Sequence, residues 1–535
     1  MNSLYATPYN PRLPRALVLI VLVACMATFS GHIYSPDEEI LFRTTEALAT
    51  RASTAIEPIL GFATSPPPGG RKDGREYAQY GIGQPLVAIP FYYLGRGLGE
   101  LFSAKAWVAL RMRLQTNHPV PYADVRGGID MEVLARDTAS RFGISLFNIA
   151  VTVAGAWVLF LLVQRLTGDE KAAFWGVLAG MLGSVLWPHS RTFFTETFAG
   201  FCLLISLYCL HRSLDEKSWR WTLGAGIAAG YAVLVRMDSL VFMPVMGLLA
   251  LYADYLPLAS ICRTKDRIRD AWQHATYKPS IQRAAIFTIP VLAACAIILL
   301  INRVQFGGFF ESGYQDQTEG IQFSTPILVG LYGFFLSIGK GLFFFSPVLV
   351  LAIFGLRPML KREPVWGWAM IGLCAIFLAV MSKWRNWPGG WCWGPRHIIQ
   401  IHWLMIVPLV FWLAQGITRS RRLVLIVLVL IGGAVQLYGA SQNFIQYYQI
   451  FYRDPTPPSA TALYDMQTNQ ALQQQYALYR RDPQTGRPTT EMPLNQLPAP
   501  VNDSIYIVQN SQWTGYAVMW RLGVHDVFWL HLIRE

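Results

Sequence analysis

Charge is what this sequence has least of. Asp, Glu, Lys and Arg make up 14% of its 535 residues, while apolar side chains make up 53%. A soluble domain carries about a quarter charged residues. The shortage excludes an ordinary globular enzyme and points to a chain solvated largely by lipid, in keeping with a mean hydropathy of +0.33. Cysteine is scarce too, at seven. Cys25, Cys202, Cys209, Cys295 and Cys374 lie in apolar runs, Cys262 in a basic loop and Cys392 between tryptophans. No spacing among them suggests a disulfide framework or a zinc site. An internal repeat is also missing, which argues against transporter folds assembled from inverted repeats. The net charge of +12 does not require nucleic acid as a partner, because polytopic proteins concentrate Lys and Arg in cytoplasmic loops facing anionic lipid.

What is present is a series of long apolar runs. A helix needs about 20 mostly apolar residues to cross a bilayer. The candidates are 14–33, 142–165, 171–188, 193–211, 221–236, 238–256, 284–303, 343–360, 365–382, 397–416 and 422–440. Arg12, Arg15 and the sequence Leu22-Val23-Ala24-Cys25 resemble a cleavable signal. The run continues past Cys25 into a polytopic chain, so an uncleaved first span is expected. Alternate connections are basic: Arg12/Arg15, Arg165/Lys171, Arg212/Lys217/Arg220, the 263–283 loop, Arg357/Lys361/Arg362 and Arg419/Arg421/Arg422. Those ends are expected in the cytoplasm, which places the N-terminus inside and the C-terminus outside.

Two apolar stretches fall outside the eleven. Residues 81–103, interrupted by Pro85, Pro90 and several glycines, are expected as one or two helices on the outer membrane surface. Residues 325–342, short and broken by glycines, suit a re-entrant or surface segment lining a cavity. The outer face then holds a first loop at 34–140 with a turn at Pro66-Pro67-Pro68-Gly69-Gly70, loops at 304–342 and 383–396, and a tail from 441. The tail passes through Pro- and Gln-rich sequence at 454–500 to strand-like pieces at 504–508 and 516–522. The expected fold is an all-α polytopic membrane protein of about eleven transmembrane helices with outer-face juxtamembrane helices. A membrane domain, 1–440, is followed by a small, partly β outer tail domain, 441–535.

An acidic cluster, Asp37-Glu38-Glu39, stands just after the first span. It has two compatible readings. Ser35 as N-cap, Pro36 at N1 and Glu38 at N3 spell a capping box. A helix starting there would also keep Asp37 ionised and ready to accept a proton, while Glu39 would turn away from Asp37's face. Further charges mark the outer ends of the spans: Arg191 with Glu196, Arg236 with Asp238, Lys340, Lys383, Arg385 and Arg396. Ionisable residues at membrane depth are functional candidates, and Arg and Lys suit phosphate. Against that, Arg236 and Asp238 also make sense as a local ion pair, and Lys383 and Arg385 as snorkelling anchors. Trp384, Trp387, Trp391 and Trp393, interleaved with glycines, read either as an interfacial aromatic belt or as a platform for sugar rings.

These residues resemble the glycosyltransferase C superfamily, in its branch of protein O-mannosyltransferases and lipid A aminoarabinose transferases. The resemblance rests on Asp37-Glu38 after the first span and on Gln84-Pro85-Leu86 opening a surface helix. It is supported by Leu331-Tyr332-Gly333…Gly339-Lys340-Gly341-Leu342-Phe343…Ser346-Pro347, and by Gly390-Trp391-Cys392-Trp393-Gly394-Pro395-Arg396 as in bacterial members. It covers residues 14–440 in organisation more than in identity. Gln84 stands where the family often has Lys or His, and Glu196 where it usually has Asp.

The resemblance implies an inverting transfer of a sugar from a polyprenyl-phosphate-linked donor to a hydroxyl of a glycan, lipid or protein acceptor. The reaction would take place on the outer face of a bacterial inner membrane. Asp37 would take the acceptor's proton, and Glu38 or Glu196 would orient the acceptor or a divalent cation such as Mg or Mn, although no ligand spacing is diagnostic of a metal. Arg191, Arg236, Lys340, Lys383 and Arg396 would hold donor phosphate. Tyr80, Gln84, Trp387, Trp391 and Trp393 would contact sugar or acceptor. A transporter or flippase of lipid-linked sugars is the rival reading, sharing the cations and aromatics. It would more often place its charges near the bilayer midplane.

Overall fold

The computed structural model describes residues 11–56, 75–114, 130–252, 277–313, 323–416, 418–445, 447, 511–521 and 525–533. The expected turn at 66–70 and the strand-like piece at 504–508 lie outside these.

Each expected span has a helical counterpart, beginning with α1 (Arg12–Ala27). Helices α2 (Pro36–Arg51), α3 (Gly83–Leu101) and α4 (Ala104–Arg113) follow. Next come α5 (Met131–Ser145), α6 (Phe147–Thr167), α7 (Glu170–Leu182), α8 (Thr195–Asp215) and α9 (Trp219–Val235). A 3-10 turn, Met237–Phe242, leads into α10 (Met243–Tyr252), and α11 (Tyr277–Phe306) comes after it. The series continues with α12 (Ile327–Leu336), α13 (Val350–Arg362), α14 (Pro364–Lys383), α15 (Ile399–Leu413) and α16 (Arg419–Ala440).

Among the described residues, six stretches are helices long and apolar enough to cross a membrane: Met131–Thr167, Thr195–Asp215, Ile281–Phe306, Pro364–Lys383, Arg396–Leu413 and Arg419–Ala440. The helices at the other five expected spans, α1, α7, α9, α10 and α13, have 10 to 17 residues. The Arg396–Leu413 stretch is 89% buried and so forms the centre, whereas Ile281–Phe306 is 17% buried and forms the rim. Crowding at the centre dictates small residues. A Cβ on Gly355 would stand 1.7 Å from the Pro408 carbonyl oxygen, so only glycine lets α13 lie against α15 there.

The stretch expected as one or two surface helices is a single helix, α3. It packs Gln84, Ala88, Tyr92 and Gly95 inward and leaves Leu86, Val87, Tyr93 and Leu94 exposed. Helix α12, at ten residues, is too short to span, as expected of residues 325–342, since it rises only about 15 Å. A two-residue antiparallel ladder, β1 (Ala55–Ile56) with β2 (Glu76–Tyr77), folds the first outer loop back so that Tyr80 meets α2.

Helix α2 is held by buried ion pairs. Arg141 of α5 pairs with Glu39, and Arg43 contacts Glu39 at 2.9 Å and Asp137 at 3.0 Å. Arg111 of α4 reaches Asp137 at 2.9 Å, and Arg141 Nε reaches it at 2.7 Å. Glu39 does turn away from Asp37's face, into this network.

The tail departs from expectation. Residues 516–522 were expected as a strand, but Gln512–Arg521 is a helix, α17, followed by α18 (Phe528–Ile533). Its inward residues, Gln512, Tyr516 and Met519, recur every three to four positions, which is helical rather than alternating spacing.

Candidate active site

The site begins with the cap of α2. Ser35 accepts from the Glu38 backbone N–H, and Glu38 Oε2 accepts from the backbone N–H groups of Ser35 at 2.7 Å and Tyr34 at 2.6 Å. The capping box is therefore complete. The other oxygen of Glu38 accepts from the backbone N–H of Phe193. The Phe193 carbonyl takes the Gln84 amide at 2.6 Å, and Asn148 donates to the carbonyls of Thr192 and Phe194, each at 2.8 Å. These bonds fix the backbone at 192–194, which delivers Glu196 in the first turn of α8. Burial pushes the Glu38 carboxyl up to about 7, against the three N–H groups that favour its charge.

On this frame stands a chain of charges. Tyr80 donates to Asp37 Oδ1 at 2.7 Å, and Arg396 Nη2 pairs with Asp37 Oδ2 at 2.8 Å. Arg396 Nε donates to Glu196 Oε1 at 2.9 Å, and Arg236 donates to the same oxygen at 2.8 Å. Arg236 also pairs with Asp238 at 2.7 Å, and Asp238 accepts from Gln400 at 2.9 Å. The Arg396 guanidinium lies 3.7 Å over the centroid of the Phe194 ring. Exposure is lowest at Glu196 (0%), rises through Arg396 (10%) to Asp37 (31%) on one side and stands at 18% for Arg236 and Asp238 on the other. Asp37 is thus the most exposed carboxylate of the chain.

The structure brings together Asp37, Glu196, Arg236, Arg396 and Tyr80, with Glu38 and Gln84 supporting them from behind. Other expected residues stand elsewhere. Arg191 is buried on the carboxylate and backbone oxygen of Asp526, which also takes Tyr34 and His32, each at 2.7 Å. Burial opposes the Asp526 charge, but His32 and Arg191 hold that carboxyl well below the usual range. Lys340 is buried and donates to the carbonyls of Gly390 at 3.1 Å and Cys392 at 2.8 Å, so it braces the tryptophan loop; burial lowers its pKa. Lys383 is exposed at the end of α14.

The tryptophan platform is also corrected. Trp387 is buried against Phe334, with ring centroids 5.5 Å apart, and against Gly333. Trp393 is buried and stacked on Tyr516 at 5.0 Å. Neither ring presents a face, because each completes the packing of its loop; Trp391 is half-buried.

Among the described residues no three His, Cys, Asp or Glu side chains converge as metal ligands. The site carboxylates face guanidinium groups instead, a donor set that does not fit a divalent ion. Sequence reasoning missed the Asp526 clamp and His397, which stands half-buried 3.8 Å from Glu196. Nothing in the sequence ties Asp526 to Arg191 across 335 positions, whereas His397 follows Arg396 directly.

Residues 134–271 match the family model described as dolichyl-phosphate-mannose-protein mannosyltransferase, a stretch that holds Arg191, Glu196, Arg236 and Asp238. No curated protein matches the chain. Among solved structures, it is similar to ArnT from Cupriavidus metallidurans bound to undecaprenyl phosphate, at 12% identity and a TM-score of 0.47, over 87% of this chain and 71% of that one. It is also similar to the Archaeoglobus fulgidus oligosaccharyltransferase in complex with Zn and sulfate, at 12% identity and a TM-score of 0.40, over 89% of this chain and 58% of that one. Over residues 134–271, the chain is thus similar to the dolichyl-phosphate-mannose-protein mannosyltransferase family.

Proposed function

We propose that the protein is an inverting glycosyltransferase that moves a sugar from a polyprenyl-phosphate donor to an acceptor hydroxyl on the outer face of the membrane. The single observation behind the chemistry is that Asp37, the most exposed carboxylate of the charge chain, is held by Arg396. The donor is a phosphodiester with one charge, and the leaving polyprenyl phosphate gains a second as its bond to the sugar breaks; both offer oxygens for bidentate bonds from Arg. Donor phosphate takes Arg396 from Asp37, and the bond strengthens as the leaving group's charge develops. The exchange does two things at once: it stabilises the leaving group and frees Asp37 as a base. The acceptor oxygen then bonds to the anomeric carbon, the bond from that carbon to the phosphate oxygen breaks with its electron pair, and the hydroxyl proton passes to Asp37. Glu196 and Arg236 hold Arg396 in place throughout.

The family name matched over 134–271 supports a polyprenyl donor, dolichyl phosphate being one. The outer-face assignment is supported by the opposite end of the bundle. There Arg165 and Arg212 pair with Asp215 and Glu216, in the basic connections that belong to the cytoplasm. A flippase would share the cations, but the matched family is one of transferases. The test is release of polyprenyl phosphate by purified protein given a polyprenyl-phospho-sugar and acceptor. Asp37→Asn is expected to slow release by about 10²–10⁴-fold; equal rates in mutant and wild type exclude Asp37 as the base.

A further inference from the structure

Two tryptophans of the tail bracket the Asp526 clamp in sequence, and both are held in the same way. Trp529 on α18 donates its indole N–H to the carbonyl of Met26, in the last turn of α1, at 2.7 Å. Trp520 on α17 donates its own to Ser441 Oγ, just past the end of α16, at 3.0 Å. Each indole has its polar edge tied to the end of a bundle helix while its ring stays open. Trp529 is 46% exposed and Trp520 48%. Between them, the Asp526 N–H donates to the Ser441 carbonyl at 2.8 Å, and the Phe528 N–H to the Phe29 carbonyl at 2.7 Å.

The face around Trp529 is apolar where water would call for polar side chains. Phe528 and His531 point inward, with Phe528 packed on Phe142 of α5. Helical spacing therefore turns Trp529 and Leu532 outward together. On α17 the buried residues are Tyr516 and Met519, and Trp520 lies on the open side with Arg521. The bundle helices that receive the two indoles also present apolar side chains outward. Helix α1 exposes Leu19, Leu22 and Val23. Helix α16, long enough to cross a membrane and only 28% buried, exposes Leu430 and Leu437.

Cations stand beside the rings. Arg113 of α4 reaches the Leu532 carbonyl at 3.5 Å, and Arg521 ends α17. Indoles with flanking Arg at the ends of apolar helices mark the headgroup level of a bilayer. Both indole donors are already spent within the chain, so what remains is ring surface, which needs no directional partner. We propose that α17 and α18 lie in the headgroup region of the bilayer, and that lipid covering Trp520, Trp529 and Leu532 holds the Asp526 clamp on Arg191 and His32.

The experiment uses the full chain in phosphatidylcholine nanodiscs that contain a phosphatidylcholine with a diazirine at the glycerol end of its acyl chain. A water-soluble diazirine is used in parallel, and labelled peptides are quantified by mass spectrometry. Lipid label is expected on both 512–521 and 525–533. Leu532→Glu leaves both indole bonds in place, so it separates lipid contact from packing. It is expected to cut lipid label on 525–533 at least about tenfold and to speed amide hydrogen exchange there at least about threefold. Trp520→Glu is expected to do the same to 512–521, with lipid label on α1 and α16 retained. Wild-type segments that take only the water-borne label overturn the proposal. Shielding from both labels overturns it too, and identifies protein, a second copy or another chain, as the cover. Lipid label or exchange on 525–533 unchanged by Leu532→Glu also overturns it, whatever Trp520→Glu does to folding.

Discussion

At the scale of single residues, the acidic pair after the first span divides its labour. Asp37 faces Tyr80 and Arg396, whereas Glu38 spends both oxygens on backbone N–H groups of Tyr34, Ser35 and Phe193. Glu38 is thus a positioning residue that sets where Glu196 stands. Its titration carries a signature. A carboxyl raised from 4.5 to about 7 binds its proton more tightly folded than unfolded. Its contribution to stability is complete below pH 4.5 and is lost as the pH rises through about 7. Thermal unfolding of detergent-solubilised protein is expected to show wild type losing stability over that window relative to Glu38→Gln; parallel curves contradict the assignment. Asp37 and the capping box were legible in the sequence because both are local patterns. The partners of Arg191 and Lys340 were not, because a cation far from its acceptor in sequence looks the same whether it awaits a phosphate or already holds a carbonyl.

Among the elements, α2 matters most, and little in the sequence points to what anchors it. Helix α2 carries Asp37 on one face and Glu39 and Arg43 on another, the latter sunk into Asp137, Arg141 and Arg111 from two other helices. The Arg-rich stretch before α6 read only as an outer loop, since sequence spacing cannot reveal that its cations meet the acids of a helix about a hundred residues earlier. Removing one member leaves buried charge uncompensated. Asp137→Asn is expected to destabilise the outer helices by about 3–5 kcal/mol, read as earlier proteolysis of residues 36–145 than in wild type. Proteolysis at the wild-type rate contradicts a clamping role. By contrast, the helices at the expected spans followed from the length of their apolar runs. Helix α17 did not, because a short amphipathic helix rich in aromatic residues mimics a strand, as short apolar runs do.

For the whole molecule, one end of the bundle concentrates the functional candidates and the opposite end holds the pairs Arg165–Asp215 and Arg212–Glu216. The tail reaches back over the functional end, where Asp526 sits on Arg191 and His32, and Tyr516 packs on Trp393. The tail is therefore part of the scaffold around the site. Arg191, Arg236, Lys340 and Arg396 already have partners there, and Asp37, on Arg396, is the most exposed acid among them; under the proposed function, donor phosphate displaces it. The most direct measurement is an electron cryomicroscopy structure of the full chain in nanodiscs with polyprenyl phosphate. Phosphate oxygens are expected about 2.7–2.9 Å from the Arg396 guanidinium, with the bond from Arg396 to Asp37 broken. A phosphate bound elsewhere, with the Arg396–Asp37 pair intact, would contradict it.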